Sequence, residues 1–193
     1  MRALTFAAGL IAGLALMVPA ARAGDFTADL AAAESASVGG RPPVASVSAY
    51  RVLAHRWTIL EIFVIWDPPR AAGGRSTPHW AVRRAVGGMT EPQPAKVDWA
   101  LSDSCPAMEA GLRALEALET PRPSIPGLDE RNSLGIVADG VGYHLRVRHA
   151  LYASNEAFAG LEISGNVNTP LAAWTEDFLT SLNGCWRDEA PVP

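Results

Sequence analysis

The residues whose types could support chemistry are few, and the most regular group follows one predicted strand. Along residues 141–149, apolar side chains alternate with His144, Arg146 and Arg148, so these three project from one face. Guanidinium groups bind carboxylates and phosphates through paired hydrogen bonds, so the row could form an anion-binding ridge. The alternative is a solvent-exposed face on which Glu162 of the next strand pairs with Arg146 or Arg148. We favour the exposed face, because antiparallel sheets usually leave one face in water.

Glu61 and His79 are the other two candidates for a ligand-binding site. Glu61 is the one ionisable residue inside the apolar stretch 57–66, where burial would raise its pKa as in a general acid. The alternative is a structural carboxylate that reaches water or an arginine such as Arg51 or Arg83. We favour this alternative, because one carboxylate without a second group is an incomplete mechanism.

Motifs with a defined catalytic mechanism are absent from the sequence. It contains no Gly-x-Ser-x-Gly, no His-Glu-x-x-His, no Ser-x-x-Lys and no glycine-rich phosphate loop with a lysine. The four histidines, which are His55, His79, His144 and His149, have no spacing typical of metal ligands. The sequence therefore predicts no catalytic residue, no metal site and no cofactor.

The two cysteines, Cys105 and Cys185, are predicted to form a disulfide, since two cysteines in an oxidising compartment allow one pairing. Cys105 opens one predicted helix and Cys185 follows the end of another, so a bridge would set the two helices side by side and antiparallel. The alternative is a reactive thiol at Cys105, because a helix N-terminus lowers the pKa of a thiol. No Cys-x-x-Cys motif supports this alternative.

Residues 1–23 have the pattern of a secretory signal peptide. Arg2 precedes an apolar run, and Ala21-Arg22-Ala23 provides a small-residue cleavage site before Gly24. The alternative is an uncleaved anchor, but the run is shorter than the ~20 residues needed to span a bilayer. We therefore expect a periplasmic or secreted protein without stable membrane insertion after cleavage. Cleavage leaves 14 basic and 20 acidic residues, a net charge of −6 that argues against nucleic-acid binding.

The elements that must position these residues are mostly strands joined by turns. Residues 57–66 are apolar on both alternating faces, which predicts a central strand covered on both sides. Further strands are predicted at residues 44–55, 79–86, 96–101, 134–138, 141–149 and 159–164. Residues 44–66 could form one bent strand or two strands with a turn near Ala54-His55. Connections without helices predict an antiparallel sheet.

Two amphipathic helices complete the predicted elements. The first begins at Ser104-Cys105-Pro106, with Ser104 or Asp103 as its cap, and the second begins at Thr169-Pro170. Their apolar stripes are Cys105, Met108, Leu112, Leu115 and Leu118, and Leu171, Trp174, Phe178, Leu179 and Leu182. Gly184 is the predicted stop after the second helix.

Together these features predict an α+β domain over residues 44–187, with an antiparallel sheet of about six or seven strands and two disulfide-linked helices packed on one face. Residues 24–43 are predicted to be a flexible N-terminal arm and residues 188–193 a C-terminal tail. The favoured function is a non-enzymatic binding or interaction module whose partner is a small anionic ligand or an envelope protein. The alternatives are a small hydrolase that uses Glu61, His79 or His144 in a loop-assembled site, and a purely structural envelope component.

Overall fold

The computed structural model of the protein describes residues 26–67, 76–88, 96–122, 140–151 and 157–191. The predicted signal peptide and the predicted strand at 134–138 lie outside these residues. The helices are α1 (Phe26–Glu34), α2 (Ala107–Glu116) and α3 (Pro170–Ser181), and a 3₁₀ turn spans Ser102–Ser104. The strands are β1 (Ala45–Arg51), β2 (Arg56–Trp66), β3 (Pro78–Gly88), β4 (Lys96–Leu101), β5 (Val141–Leu151) and β6 (Phe158–Gly165).

The six described strands form one sheet in the order β4-β3-β2-β1-β5-β6, and every neighbouring pair is antiparallel. The predicted α+β class and the predicted antiparallel sheet are therefore confirmed. β2 lies inside the sheet, and its side chains enter cores on both faces. Leu60 and Ile62 join the core beneath α2 and α3, whereas Ile59 and Phe63 enter cores on the opposite face. We name these surfaces the α2–α3 face and the α1 face.

The open question about residues 44–66 is answered by two strands with a tight turn between them. Arg51 pairs with Arg56, and the backbone N–H of His55 donates to the carbonyl oxygen of Val52 at 3.1 Å. His55 has a φ of 43°, a left-handed conformation that is uncommon for residues other than glycine. The turn contains neither glycine nor proline, so its position was difficult to predict from the residue types.

The start of α3 matches its prediction, and the start of α2 does not. At α3 the hydroxyl of Thr169 accepts a hydrogen bond from the backbone N–H of Ala172 at 3.2 Å, and Pro170 follows the cap. α2 begins later than predicted, after Pro106, and no side chain caps it. The predicted cap at Ser104 or Asp103 is wrong because both residues belong to the 3₁₀ turn that precedes Cys105.

The disulfide between Cys105 and Cys185 is present, with 5.6 Å between the two Cα atoms. It joins the residues before α2 to those after α3, so the start of one helix lies beside the end of the other. The helices approach closely at Gly111, whose carbonyl oxygen accepts a hydrogen bond from the Trp174 indole at 2.9 Å. Beneath them, the apolar side chains of Met108, Leu171, Phe178 and Leu182 are buried against the sheet.

α1 lies on the other face of the sheet, where the sequence predicts a flexible arm. Phe26 stacks on Tyr50 with 5.0 Å between ring centroids and meets the ring of Trp57 edge-on at 6.0 Å. Further along, Val38 is buried with Phe63 in a second apolar cluster. The two predicted helices, α2 and α3, share one face of the sheet, and α1 is a third helix on the opposite face. The physical reason is that the α1 face of β2 is apolar, and burial of that surface stabilises the docked segment.

The C-terminal segment covers the β4 edge of the sheet. Trp99 and Arg187 exchange two backbone hydrogen bonds, of 2.7 and 2.8 Å. Next to them, the Arg84 guanidinium lies 4.0 Å from the ring centroid of Trp186, a cation–π contact. The opposite edge is β6, to which no described segment pairs on its outer side.

Candidate functional site

The predicted ridge of His144, Arg146 and Arg148 lies on the α1 face of β5. The Nε of Arg146 donates to the carboxylate of Glu162 at 2.8 Å, and the two residues are cross-strand partners. The Nδ1 of His144 lies 2.9 Å from the hydroxyl of Ser164, its own partner on β6. Arg148 is exposed. The structure thus contains the pairing of Arg146 with Glu162 that the sequence analysis names as the alternative to an anion-binding ridge.

Glu61 is fully buried on the α1 face, with 0 % of its residue surface exposed. Its Oε2 forms an ion pair with the guanidinium of Arg83, the residue directly opposite on β3. Its Oε1 has no hydrogen-bond partner. Burial raises the pKa of Glu61, and the bond from Arg83 opposes this effect. The buried carboxylate thus has Arg83 as its partner, one of the two arginines that the sequence analysis names for it.

His79 lies between two carboxylates at one end of the sheet. Its Nε2 is 2.7 Å from Oδ2 of Asp67, and its Nδ1 is 2.5 Å from Oδ1 of Asp103. These hydrogen bonds raise the pKa of His79 above its ordinary value of 6.5. When protonated, the ring donates from both nitrogens, which leaves neither free to accept a proton or bind a metal. His79 thus links Asp67, which follows β2, to Asp103 in the 3₁₀ turn, and we call this arrangement the His79 clamp.

The sequence analysis missed Asp67 and Asp103, although a signal was present. In an antiparallel meander, the end of β2, the start of β3 and the end of β4 lie at the same end of the sheet. Asp67 follows β2, His79 begins β3 and Asp103 follows β4. Strand polarity alone would thus have placed the two acids near the histidine.

One concavity among the described residues is an apolar groove on the α2–α3 face, with a volume of about 480 Å³. It lies between the second half of α2 and strands β1, β5 and β6. Thirteen of its lining residues are apolar, namely Val44, Ala45, Ile62, Trp80, Leu112, Leu115, Leu118, Leu145, Val147, Ala150, Leu151, Leu161 and Ile163. Three are polar, namely Glu116, Thr120 and His149. Groove volumes of about 300–1,000 Å³ are typical of ligand sites, so this one is large enough to bind a ligand or a partner side chain.

The groove opens onto exposed apolar side chains at the end of the β5–β6 hairpin. Leu151 lines the groove and is 59 % exposed, and its cross-strand partner Phe158 is 76 % exposed. The Phe158 ring contacts the His149 ring edge-on, with 6.2 Å between centroids. Large apolar residues are seldom left this exposed next to an apolar groove unless the surface serves an interaction.

The five predicted site residues do not meet in one cavity. His144 and Arg146 are near neighbours on β5, Glu61 is buried on the α1 face, and His79 lies at one end of the sheet. Among the described residues, no group of three or more His, Cys, Asp or Glu side chains is arranged to hold a metal ion. No described helix has the length and apolar character needed to cross a membrane. Comparisons of the chain with protein-family models, curated proteins and solved structures find no match.

Proposed function

We propose that the protein is an exported, non-enzymatic interaction module that receives an apolar segment of another envelope protein in its groove. The single observation that carries this proposal is the continuity between the groove and the exposed side chains of Leu151 and Phe158. Export follows from the signal-peptide pattern of residues 1–23, and places the module in the periplasm or outside the cell.

The extent of the apolar surface supports a protein partner over a small apolar ligand. A small ligand would fill the groove between α2 and the sheet, and Phe158 would remain 76 % exposed. A partner segment that enters the groove would also cover Leu151 and Phe158. Burial of such apolar anchors supplies most of the binding energy in protein interfaces.

The β6 edge offers a second type of contact next to the same surface. β6 contains one charged residue, Glu162, and no proline, although charges and prolines are common devices that protect an edge strand. The β4 edge, by contrast, is covered by Arg187. An extended partner segment could therefore add backbone hydrogen bonds along β6 while its apolar side chains enter the groove.

The hydrolase alternative has less support in the geometry. Glu61 is fully buried, and both ring nitrogens of His79 are held by carboxylates. His144 contacts the hydroxyl of Ser164 at 2.9 Å, but no described carboxylate orients its ring. A nucleophile activated by histidine usually requires such a third group.

Site-specific photo-crosslinking in the producing cell tests the proposal. A photoreactive amino acid is placed at Leu151 or Phe158 of the full chain, and at Leu53 as a matched control. Leu53 is 72 % exposed but lies in the turn between β1 and β2, away from the groove. We expect one protein adduct of the same mass from Leu151 and Phe158, and none from Leu53.

The competing occupants give different results. An adduct with twice the mass of the mature chain would show that a second copy fills the groove, and would overturn the proposal of a different partner. The absence of a protein adduct at both groove positions would overturn it as well. Phe158→Ser should strongly reduce the adduct formed from Leu151, because it removes an apolar anchor next to the groove.

A further inference from the structure

A second, polar pocket lies on the α1 face of the sheet, separate from the groove. It has a volume of about 460 Å³ and lies between the start of α1 and strands β1, β5 and β6. The side chains that matter for its chemistry are Phe26, Ser48, Tyr50, His144, Ser164 and Asn166. We propose that this pocket binds a small, neutral, hydroxylated molecule such as a sugar.

Ser48 is the residue that marks the pocket as a binding site. It is 7 % exposed, lies on β1 between Ile59 and His144, and lines the pocket. Its hydroxyl makes no hydrogen bond to any described protein group. Its oxygen is not among the fully buried side-chain atoms that lack a partner, so the hydroxyl is accessible from the pocket, where a ligand hydroxyl can bond to it.

The neighbouring polar groups can bind the same ligand from two further sides. His144 and Ser48 are cross-strand partners, and His144 in turn contacts Ser164 at 2.9 Å. Asn166 follows β6 and adds an amide that both donates and accepts. Hydroxyl, imidazole and amide groups together match a ligand whose own hydroxyls both donate and accept hydrogen bonds.

The aromatic wall of the pocket favours a ligand with an apolar face. Phe26 and Tyr50 are stacked, with 5.0 Å between ring centroids, and both line the pocket. A sugar ring combines hydroxyl groups at its edge with apolar C–H groups on its face. The pocket presents the complementary combination, with polar groups from β1, β5 and β6 and an aromatic surface beside them.

The charge of the pocket argues for a neutral ligand over an anion. No lysine, arginine, aspartate or glutamate lines it. The arginine two residues further along β5, Arg146, is bonded to Glu162 at 2.8 Å. An anion would therefore lose its hydration without gaining a charged partner, which is unfavourable.

The experiment uses the mature chain labelled with ¹⁵N and titrated with glucose, N-acetylglucosamine and cellobiose. Phosphate and acetate are titrated in parallel as anionic probes. We expect saturable shifts of the amides of Ser48, His144 and Asn166 with at least one sugar and with neither anion. Ser48→Ala should weaken sugar binding by about 2- to 10-fold, the effect of one neutral hydrogen bond.

Ser46→Ala is the matched control. Ser46 lies two residues earlier on the same face of β1 but does not line the pocket, so its replacement should leave the affinity unchanged. The proposal is overturned if none of the sugars gives saturable shifts, or if both serine variants bind equally well. Binding of phosphate or acetate in preference to the sugars would also overturn it. Phe158 is remote from this pocket, so Phe158→Ser should impair partner binding at the groove and leave sugar binding unchanged. The two proposals can therefore fail separately.

Discussion

The carboxylate of Glu61 on β2 and the guanidinium of Arg83 on β3 form an ion pair at directly opposed positions inside the sheet. The side chain of Glu61 is 0 % exposed and that of Arg83 is 16 % exposed. Two separate apolar clusters flank the pair on the α1 face, one around Ile59 and the other around Phe63. The carboxylate of Glu61 therefore depends on Arg83 as its partner, because its own side chain does not reach solvent.

Removal of Arg83 should be strongly destabilising near neutral pH. Arg83→Met leaves the buried carboxylate unpaired, which typically costs about 3–5 kcal/mol. Burial already raises the pKa of Glu61 above 4.5, and loss of Arg83 should raise it further. A raised carboxylate pKa favours the folded state at low pH, and this advantage is lost as the pH rises through the folded-state pKa.

The destabilisation caused by Arg83→Met should therefore shrink as the pH falls toward 4.5. Urea denaturation at neutral and acidic pH measures this change. The double variant Glu61→Gln/Arg83→Met is the control, because a neutral amide removes the unpaired charge and should recover part of the stability. An equal loss of stability at both pH values would show that Glu61 does not carry the effect.

The fold was predictable where a single strand or helix carries its own pattern. Residues 57–66 alternate between two apolar faces, and β2 indeed contributes side chains to cores on both sides. Thr169-Pro170 marks the start of α3 because its capping interaction is local. The docking of α1 was not predictable in this way, since Phe26 and Leu30 acquire partners from distant parts of the chain.

The candidate sites were less predictable, because each combines residues from several strands. The pairing of Arg146 with Glu162 was predictable as one of two alternatives, because the two predicted strands are neighbours in sequence. The apolar groove and the polar pocket both depend on β1 lying beside β5. That pairing joins segments about 100 residues apart in the chain, and local patterns contain little information about it.

The clamp at His79 should make stability depend on pH above the ordinary histidine range. The pKa of His79 is raised by its bonds to Asp67 and Asp103, so the stabilisation is fully present below pH 6.5. It is lost as the pH rises through the higher folded-state pKa. The melting temperature of the wild-type protein relative to His79→Gln should therefore be greatest at acidic pH and decline above pH 6.5.

Asp103→Asn provides the matched control for this clamp. It removes one negative partner and keeps the ring, so the pKa of His79 should fall, and the decline in stability above pH 6.5 should be smaller and end at a lower pH. The pKa can be measured directly by NMR titration of the His79 ring protons. An unchanged titration midpoint in Asp103→Asn would contradict the clamp.

The close approach of α2 and α3 at Gly111 should make a helix-favouring substitution destabilising. A Cβ at this position would lie 2.3 Å from Cδ2 of Phe178. Alanine stabilises a helix by about 1 kcal/mol relative to glycine, but overpacking typically destabilises the fold by about 1–3 kcal/mol. Gly111→Ala should therefore lower the free energy of unfolding, whereas in a Phe178→Ala background it should be neutral or stabilising. Equal effects in the two backgrounds would exclude a steric origin.

Reduction of the disulfide should lower the melting temperature. Cys105 and Cys185 are separated by 80 positions in sequence, and closure of such a loop is worth up to about 4.5 kcal/mol in the chain-entropy model. Neither cysteine should react with thiol reagents before a reductant is added. Cys105→Ala should be at least as harmful as reduction, because it leaves Cys185 free for wrong pairing. Stoichiometric thiol labelling of the native protein would contradict this expectation.

The last prediction separates an anion-binding ridge from a solvent-exposed sheet face. Arg146 and Glu162 have side chains that are 38 % and 56 % exposed, and exposed pairs contribute roughly 0.2–1 kcal/mol. Arg146→Gln should lower stability by about that amount, while Arg148→Gln serves as a control on the same strand. If the face binds an anionic ligand, the double variant Arg146→Gln/Arg148→Gln should lose salt-sensitive binding of phosphate or acetate, and its melting temperature should stay unchanged. We expect the small loss of stability and no anion binding, because Glu162 already occupies the guanidinium that an anion would need.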